Sequence, residues 1–414
     1  VHRIDADVLV PGRGDPVRPG CVVLDDASIA YAGPPDAAPP TPGATTTRVH
    51  AVLPGLWDSH CHFLGLPVAD VSVIASTPLA LLAMRCATDA ARGLDAGFTS
   101  VREVGGLGVL VARAVEEGSV RGPTVYAAGA ILSPTGGHAD LHMFPDAWVC
   151  DLEDHAGMLR RCDGVAECLR AVRLQLRDGA RLIKICASGG VMSEVDHPVH
   201  QQFSRDELHA IVEEAARADR VVAAHCHGKP GIMAALEAGA RTIEHGTYLD
   251  EEAAAAMREA DAILVPTRHV VEEFLAFGAS AQLPDYARRK LEAIADAHLA
   301  AIALAHDRGV RIAAGTDVAC TGSAPARWGQ NGAELGHLVQ AGLSPLEALA
   351  AATATGPATL GPQAPHAGVL EAGRDADVIG VAGDPTADVG LLADPANVTH
   401  VWRRGQLVKE PDPV

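Results

Sequence analysis

Two patterns of apolar and polar residues alternate along this chain. At both ends, short apolar runs are separated by Gly, Pro and Asp. They are Ala6–Val10, Cys21–Leu24 and Ser28–Tyr31 near the start, and Ala376–Val381, Val398–Trp402 and Gln406–Val408 near the finish. Runs of this length bounded by turn formers predict β-strands. Neither end has enough strands for a stable sheet with its own core, so the two are expected to combine in one small β-sandwich. Pro34–Thr47, rich in Pro, Ala and Thr, reads as a surface loop.

Between the ends the pattern becomes strand, loop and helix, repeated. Eight short strands are predicted: Val52–Asp58, Phe98–Val104, Thr124–Leu132, Arg181–Ala187, Arg220–Cys226, Arg241–His245, Ala262–Thr267 and Arg311–Thr316. Stretches rich in Ala, Glu and Arg, such as Arg205–Ala218 and Pro230–Ala238, predict helices between most of them. Eight such units over roughly 310 residues fit an α/β fold with a closed (β/α)8 TIM-like barrel better than an open doubly wound sheet. An open sheet would usually present a phosphate-binding turn after its first strand, and neither GxGxxG nor GxxxxGK[ST] occurs. Gly105-Gly106-Leu107-Gly108 lacks the remaining spacing. The expected organisation is a β-sandwich domain from residues 1–51 and 366–414 around a barrel from residues 52–365.

Composition narrows the partners. The chain of 414 residues is 48% hydrophobic but only 3% aromatic, so its core is built from Ala, Val, Leu and Ile. A net charge of −19 argues against nucleic acid or an anionic membrane as partner. No apolar run is long enough to span a membrane, and Val1–Asp5 has no signal-peptide pattern. The nine cysteines lack paired spacing, which predicts reduced thiols and a cytoplasmic location. Cys61 and Cys226 should alternate away from their neighbouring histidines and fill core, while Cys186, two residues after Lys184, either fills core or faces the site. A homo-oligomer acting on a small molecule is expected.

Candidate chemistry gathers at the strand ends. His60 and His62 project from one face of the first strand, and two neutral imidazoles there form a metal clamp. Lys184 lies in the fourth strand, His225 ends the fifth, His245 the sixth and Asp317 the eighth. Barrel strands converge on one mouth at these ends. Each residue has an ordinary alternative: a satisfied core histidine, or for Asp317 a turn or helix cap. Their joint occurrence points to a metal site. Lys184, flanked by Ile183 and Ile185, is either paired with a carboxylate or a neutral amine able to take up carbon dioxide as a bridging carbamate.

These residues resemble the amidohydrolase superfamily of binuclear-metal type. His60-Cys61-His62, Lys184, His225, His245 and Asp317 match its metal pattern over essentially the whole chain. Ser188-Gly189-Gly190-Val191-Met192-Ser193 and Thr135-Gly136-Gly137-His138 resemble the imidazolonepropionase-like branch that includes Xaa-Pro dipeptidases, with ochratoxin-hydrolysing amidases a related comparison. His227 stands where some of the dipeptidases have tyrosine, and the Glu194–Pro198 loop also differs, so the substrate does not carry over.

The resemblance implies two divalent ions, zinc by ligand type. His60, His62 and Asp317 would hold one, His225 and His245 the other, with N6-carboxylated Lys184 bridging. It implies a metal-bridging hydroxide with Asp317 as general base and then acid. His138 is read either as a hydrogen-bond donor to the carbonyl oxygen or as a loop residue satisfied by backbone. His227, Arg268 and His269 are candidate substrate contacts, with Arg268 either a carboxylate clamp or a solvated surface residue, and His197 and His200 candidate lid residues. The expected activity is hydrolysis of an amide bond in a dipeptide-like substrate or N-acyl amino acid. The same centre would serve a cyclic-amide hydrolase, deaminase, lactonase or esterase. A non-catalytic metal-stabilised barrel is the alternative of another class.

Overall fold

The computed structural model describes residues 1–278 and 283–411. The chain has a mixed α/β fold with parallel sheets. Both chain ends join in one seven-stranded sheet, in the order Gln406–Lys409, Val398–Arg403, Val378–Val381, Thr45–Pro54, His2–Leu9, Gly20–Asp25 and Ser28–Gly33. The seam is antiparallel, with Val378 opposite Pro54 and Ile379 opposite Leu53. Ile4, Ala6, Val22, Leu24, Val49, Val378 and Trp402 form a separate core for this sheet.

Two expectations change here. Thr45–Thr47 lies in a strand, not a loop, because these β-branched residues pair in parallel with His2–Ile4. Val52–Pro54 continues that strand in the terminal sheet, and the first strand of the parallel set is Leu56–Leu66. Gly55 separates the two. A Cβ at Gly55 would lie 2.0 Å from Thr99 Oγ1, so no larger residue fits the junction.

The remaining strands form two sheets. One runs Val318–Cys320, Leu56–Leu66, Phe98–Glu103 and Thr124–Ala127. The other runs Leu159–Arg161, Ile131–Ser133, Ile183–Cys186, Val222–Cys226, Thr242–His245, Ile263–Val265 and Arg311–Ile312. All neighbours in both are parallel. The predicted strand Thr124–Leu132 is therefore two pieces in different sheets. Gln175 Oε1 accepts from the Ala130 N–H at the break, where a ladder partner would otherwise stand. Backbone hydrogen bonds tie strands of the first sheet to residues flanking strands of the second, from Arg181 N to Ala127 O and from Ser59 N to Ala314 O, both at 2.8 Å.

Most central strands are buried on both faces, which explains their continuous apolar runs. Helices cover them with one apolar face. Arg205–Ala216 starts at a capping box between Ser204 and Glu207 and buries Leu208, Ile211 and Ala215. All nine cysteines are free, and only Cys150 is exposed. Among the described residues no helix is long and apolar enough to cross a membrane.

Candidate metal centre and cavity

The carboxyl ends of the parallel strands border a cavity of about 240 Å³. His60, His62, His138, Lys184, His225, His227, His245 and Asp317 all line it. On the strand Leu56–Leu66, His60 and His62 share a face while Cys61 packs into the core. The Nδ1 of His60 is 2.7 Å from Glu244 Oε2, and that of His62 is 2.6 Å from the Gly105 carbonyl oxygen. Each Nδ1 meets an acceptor and therefore carries the proton. Both Nε2 lone pairs are left for the cavity, 3.5 and 3.1 Å from Asp317 Oδ1.

Glu244 fixes the first ring. It is fully buried, accepts from Arg102 Nη2 at 2.7 Å, and is bonded by Thr242 Oγ1. Burial opposes its ionisation, but Arg102 and then His60 hold its carboxyl down to about 2. The ion pairs of Glu244 go to Arg102 and His60 and not to Lys184. Lys184 is only 3% exposed, and burial lowers its pKa, with Glu244, Cys186 and Asp317 opposing in part. Cys186, two residues on, also lines the cavity.

On the far side, His225 Nε2 lies 3.2 Å from the Gly189 carbonyl oxygen and His245 Nδ1 lies 2.7 Å from Thr267 Oγ1. Nδ1 of His225 and Nε2 of His245 remain free. Potential ligand atoms of His225, His227 and His245 lie within 4.8 Å of one another, as do those of His60, His245 and Asp317. The two groups share His245. Burial, then neighbouring imidazoles, pushes the pKa of His225, His227 and His245 well below the ordinary value. These rings are neutral, the form that binds metal. The donor set is compatible with divalent metal ions.

Backbone strain marks the same place. His245, Thr267 and Asp317 have φ of 68°, 58° and 60°. This left-handed conformation costs a non-glycine residue about 1–2 kcal/mol and recurs at functional sites.

His138 stacks on His225 with ring centroids 4.2 Å apart, and its Nδ1 is 2.8 Å from Ser193 Oγ. Burial pushes its pKa down to about 4, with Asp196 opposing. The Nδ1 of His227 is 2.7 Å from Thr247 Oγ1. Arg268 and His269 are not brought to the cavity, which corrects their reading as substrate contacts. Thr267 turns the chain into the helix Arg268–Phe277. The Arg268 guanidinium is taken up by Glu272 Oε1 and by the Ala295 carbonyl oxygen, the latter at 2.6 Å. The His269 ring lies beside His337, and the backbone N–H groups of Arg268 and His269 both bond Glu334. His197 and His200 are exposed, with ring centroids 5.2 Å apart. The Gly105–Gly108 loop cradles an internal group: burial raises the Glu103 carboxyl to about 7, opposed by His62 and by the N–H groups of Phe63, Gly105 and Gly108.

His142, not singled out by the sequence, also lines the cavity, and both its ring nitrogens are buried without a hydrogen-bond partner. Most of the remaining wall is apolar. Val71, Leu141 and Leu159 belong to one hydrophobic cluster, and Val191, Val271, Leu291 and Ile294 to another.

The amidohydrolase family profile matches residues 51–408. The chain belongs to the amidohydrolase family. It is a hydrolase of that family, and known members resemble it over nearly its full length. The ochratoxinase of Aspergillus niger is 43% identical over 426 aligned residues, covering 99% of this chain and 87% of that protein. Its crystal structure has a TM-score of 0.91 and covers 100% of this chain and 96% of its own. A prolidase solved with N-methylphosphonate-L-proline is 33% identical, with a TM-score of 0.91 and coverage of 99% and 100%. The imidazolonepropionase of Nocardia farcinica is 26% identical, covering 94% of this chain and 92% of that protein.

Proposed function

We propose that this amidohydrolase is a binuclear metal-dependent hydrolase of an amide bond in a small, largely apolar substrate. The observation that carries this reading is the pair of donor groups sharing His245 beside Lys184, a buried lysine with no ion pair to Glu244. His60, His62 and Asp317 would hold one ion and His225 and His245 the other. A neutral Lys184 amine would add to carbon dioxide, forming a C–N bond and releasing one proton, and the carbamate would bridge. Two divalent ions, zinc by ligand type, would supply an acidified water and an electrophilic contact to the scissile carbonyl. Asp317 would take the proton of the attacking water and return it to the leaving amine. His138 and His227 would contact the substrate. The apolar clusters on the cavity wall support apolar groups around the scissile bond, as in a dipeptide-like compound or an N-acyl amino acid. The similarity to an ochratoxinase and a prolidase supports an amide substrate.

The same reading joins the two parallel sheets in one (β/α)8 barrel, supported by the hydrogen bonds from strands of the first sheet to residues flanking strands of the second. Residues 1–51 and 366–414 would form the β-sandwich domain and 52–365 the barrel, with the strand Thr45–Pro54 crossing the junction. Nine free thiols support a reducing, cytoplasmic setting. Metal analysis should find close to two transition-metal ions per chain, and full activity with one would refute the binuclear centre. A screen of the zinc-loaded protein against dipeptides, N-acyl amino acids and aryl amides identifies the bond. Hydrolysis of none of these would refute the amide assignment.

A further inference from the structure

We propose that Ser193, Asp196 and Lys290 position His138 and fix its ring proton on Nδ1, so that Nε2 accepts a hydrogen bond from the substrate. The proposal rests on the reading above, in that the cavity is the substrate site. It reverses the donor role, one of the two readings of His138 from sequence.

Ser193 Oγ lies 2.8 Å from His138 Nδ1 and also bonds Asp196 Oδ1. The hydroxyl has one proton to give, and an ionised carboxylate can only accept. Asp196 has donors on Oδ2 and a cation beside Oδ1. Its Oδ2 accepts from the Gly190 N–H and from Gln202 Nε2, each at 3.1 Å, and its Oδ1 is 3.3 Å from Lys290 Nζ. His138 itself sets the Gln202 amide, because its backbone N–H donates to Gln202 Oε1 at 3.0 Å and leaves Nε2 for Asp196. The Ser193 proton therefore goes to Asp196. The bond between Ser193 and His138 then runs the other way, from Nδ1–H to Oγ. Asp196 acts through the hydroxyl, since its own oxygen is 3.9 Å from Nδ1.

The loop carrying these groups is clamped. Lys290, on the helix Asp285–Asp307, donates to the carbonyl oxygens of Gly190, Ser193 and Asp196 at 3.0, 2.6 and 2.6 Å. Gly190 lies against the ring edge, where a Cβ would stand 2.1 Å from Cε1 and 2.2 Å from Nδ1 of His138. The two glycine-rich motifs of the sequence thus meet at one imidazole. Its other nitrogen is a lone pair, which selects a substrate offering an N–H there, a secondary amide or an amine, over an ester.

The test is the ¹⁵N shifts of the ring nitrogens in ¹⁵N-histidine protein, with His138 assigned by the signals lost in His138→Gln. Asp196→Asn is the decisive variant. The new side-chain oxygen stays with Gly190 and Gln202, and its NH₂ faces Ser193. The hydroxyl must then turn and donate to His138, moving the ring proton to Nε2. Ser193→Ala removes the constraint, and Ser193→Thr restores it. We expect Nδ1–H in the native protein and Ser193→Thr, Nε2–H in Asp196→Asn, and a mixture in Ser193→Ala. With fold and metal content retained, kcat/KM on a secondary amide should fall about 10- to 100-fold in Asp196→Asn and Ser193→Ala. A native ring protonated at Nε2, or variants with the native tautomer, would overturn the proposal, as would a changed tautomer at native kcat/KM. If the tautomers move as expected but native protein hydrolyses no amide, the positioning network stands and the amide-hydrolase reading falls.

Discussion

Glu244→Gln removes a charge from the pair that orients the first metal-ligand candidate. Glu244 and Arg102 are both 0% exposed, and Nη2 stands 2.7 Å from Oε1. Deleting one member of a buried pair strands the other charge, at a cost of about 3–5 kcal/mol. The titration of Glu244 reaches a similar figure. Its carboxyl is held at about 2 against an ordinary 4.5, which at 1.36 kcal/mol per unit is about 3 kcal/mol. A depressed carboxyl contributes its full stability above the unfolded value and loses it as pH falls towards the folded one. The deficit of Glu244→Gln should therefore be about 3–5 kcal/mol at pH 7 and shrink below pH 4.5. His60 also loses its charged acceptor, so metal affinity should fall about 10- to 100-fold. Urea unfolding of metal-stripped protein across pH measures the first effect, and competition with a chelating dye the second. Arg102→Met combined with Glu244→Gln should lose less than the sum of the single variants. A single variant within about 0.5 kcal/mol of native, with unaltered metal retention, would refute the argument.

Asp317→Asn should keep the fold and lose several orders of magnitude in kcat, measured at saturating substrate; near-native turnover removes Asp317 as the base. Lys184→Ala should lose metal and activity and recover part of both with short carboxylic acids and added metal, and unchanged metal content would refute the bridge. Asp89, buried on the helix Leu79–Asp95, has its carboxyl raised by burial to about 7, with Thr321 and Arg92 opposing. A raised carboxyl favours the neutral native form, so that contribution is lost as pH rises from 3.8 towards 7. Asp89→Asn should thus gain about 2–3 kcal/mol more over native at pH 8 than at pH 5, read from urea midpoints, and a gain independent of pH would contradict the burial argument.

Much of the fold was legible because burial imposes a pattern. The parallel strands read as continuous apolar runs, and the strands of the terminal sheet as short runs between turn formers. What the pattern could not supply was partnership. Thr45–Thr47 looks like loop sequence until His2–Ile4 is beside it, and Val52–Pro54 is as apolar as the strand that follows. Long-range contacts divide them, of Gly55 with Thr99 and Asp377 and of Leu56 with Gly97. The break between Thr124–Ala127 and Ile131–Ser133 is set in the same way, by Gln175 from a later helix.

The site divides along a similar line. The residues at strand ends were found because period-two alternation and parallel strands converge on one place. Arg268 was misread because nearness to a strand end does not fix direction. Thr267 starts a helix, and within that helix Glu272 stands four residues on, the spacing of a favourable pair. That spacing was visible and gives the better reading. Glu244 was hidden by its neighbour. It precedes His245 and by alternation should face away, yet the left-handed turn at His245 lets both contribute, one to the cavity and one behind His60. Lys290 left no local signal at all, since its acceptors are carbonyl oxygens almost a hundred residues earlier. Groups that would hold metal must be of a few residue types, and sequence displays type. Groups that orient them need only the right donor or acceptor in the right place, and place is what folding adds.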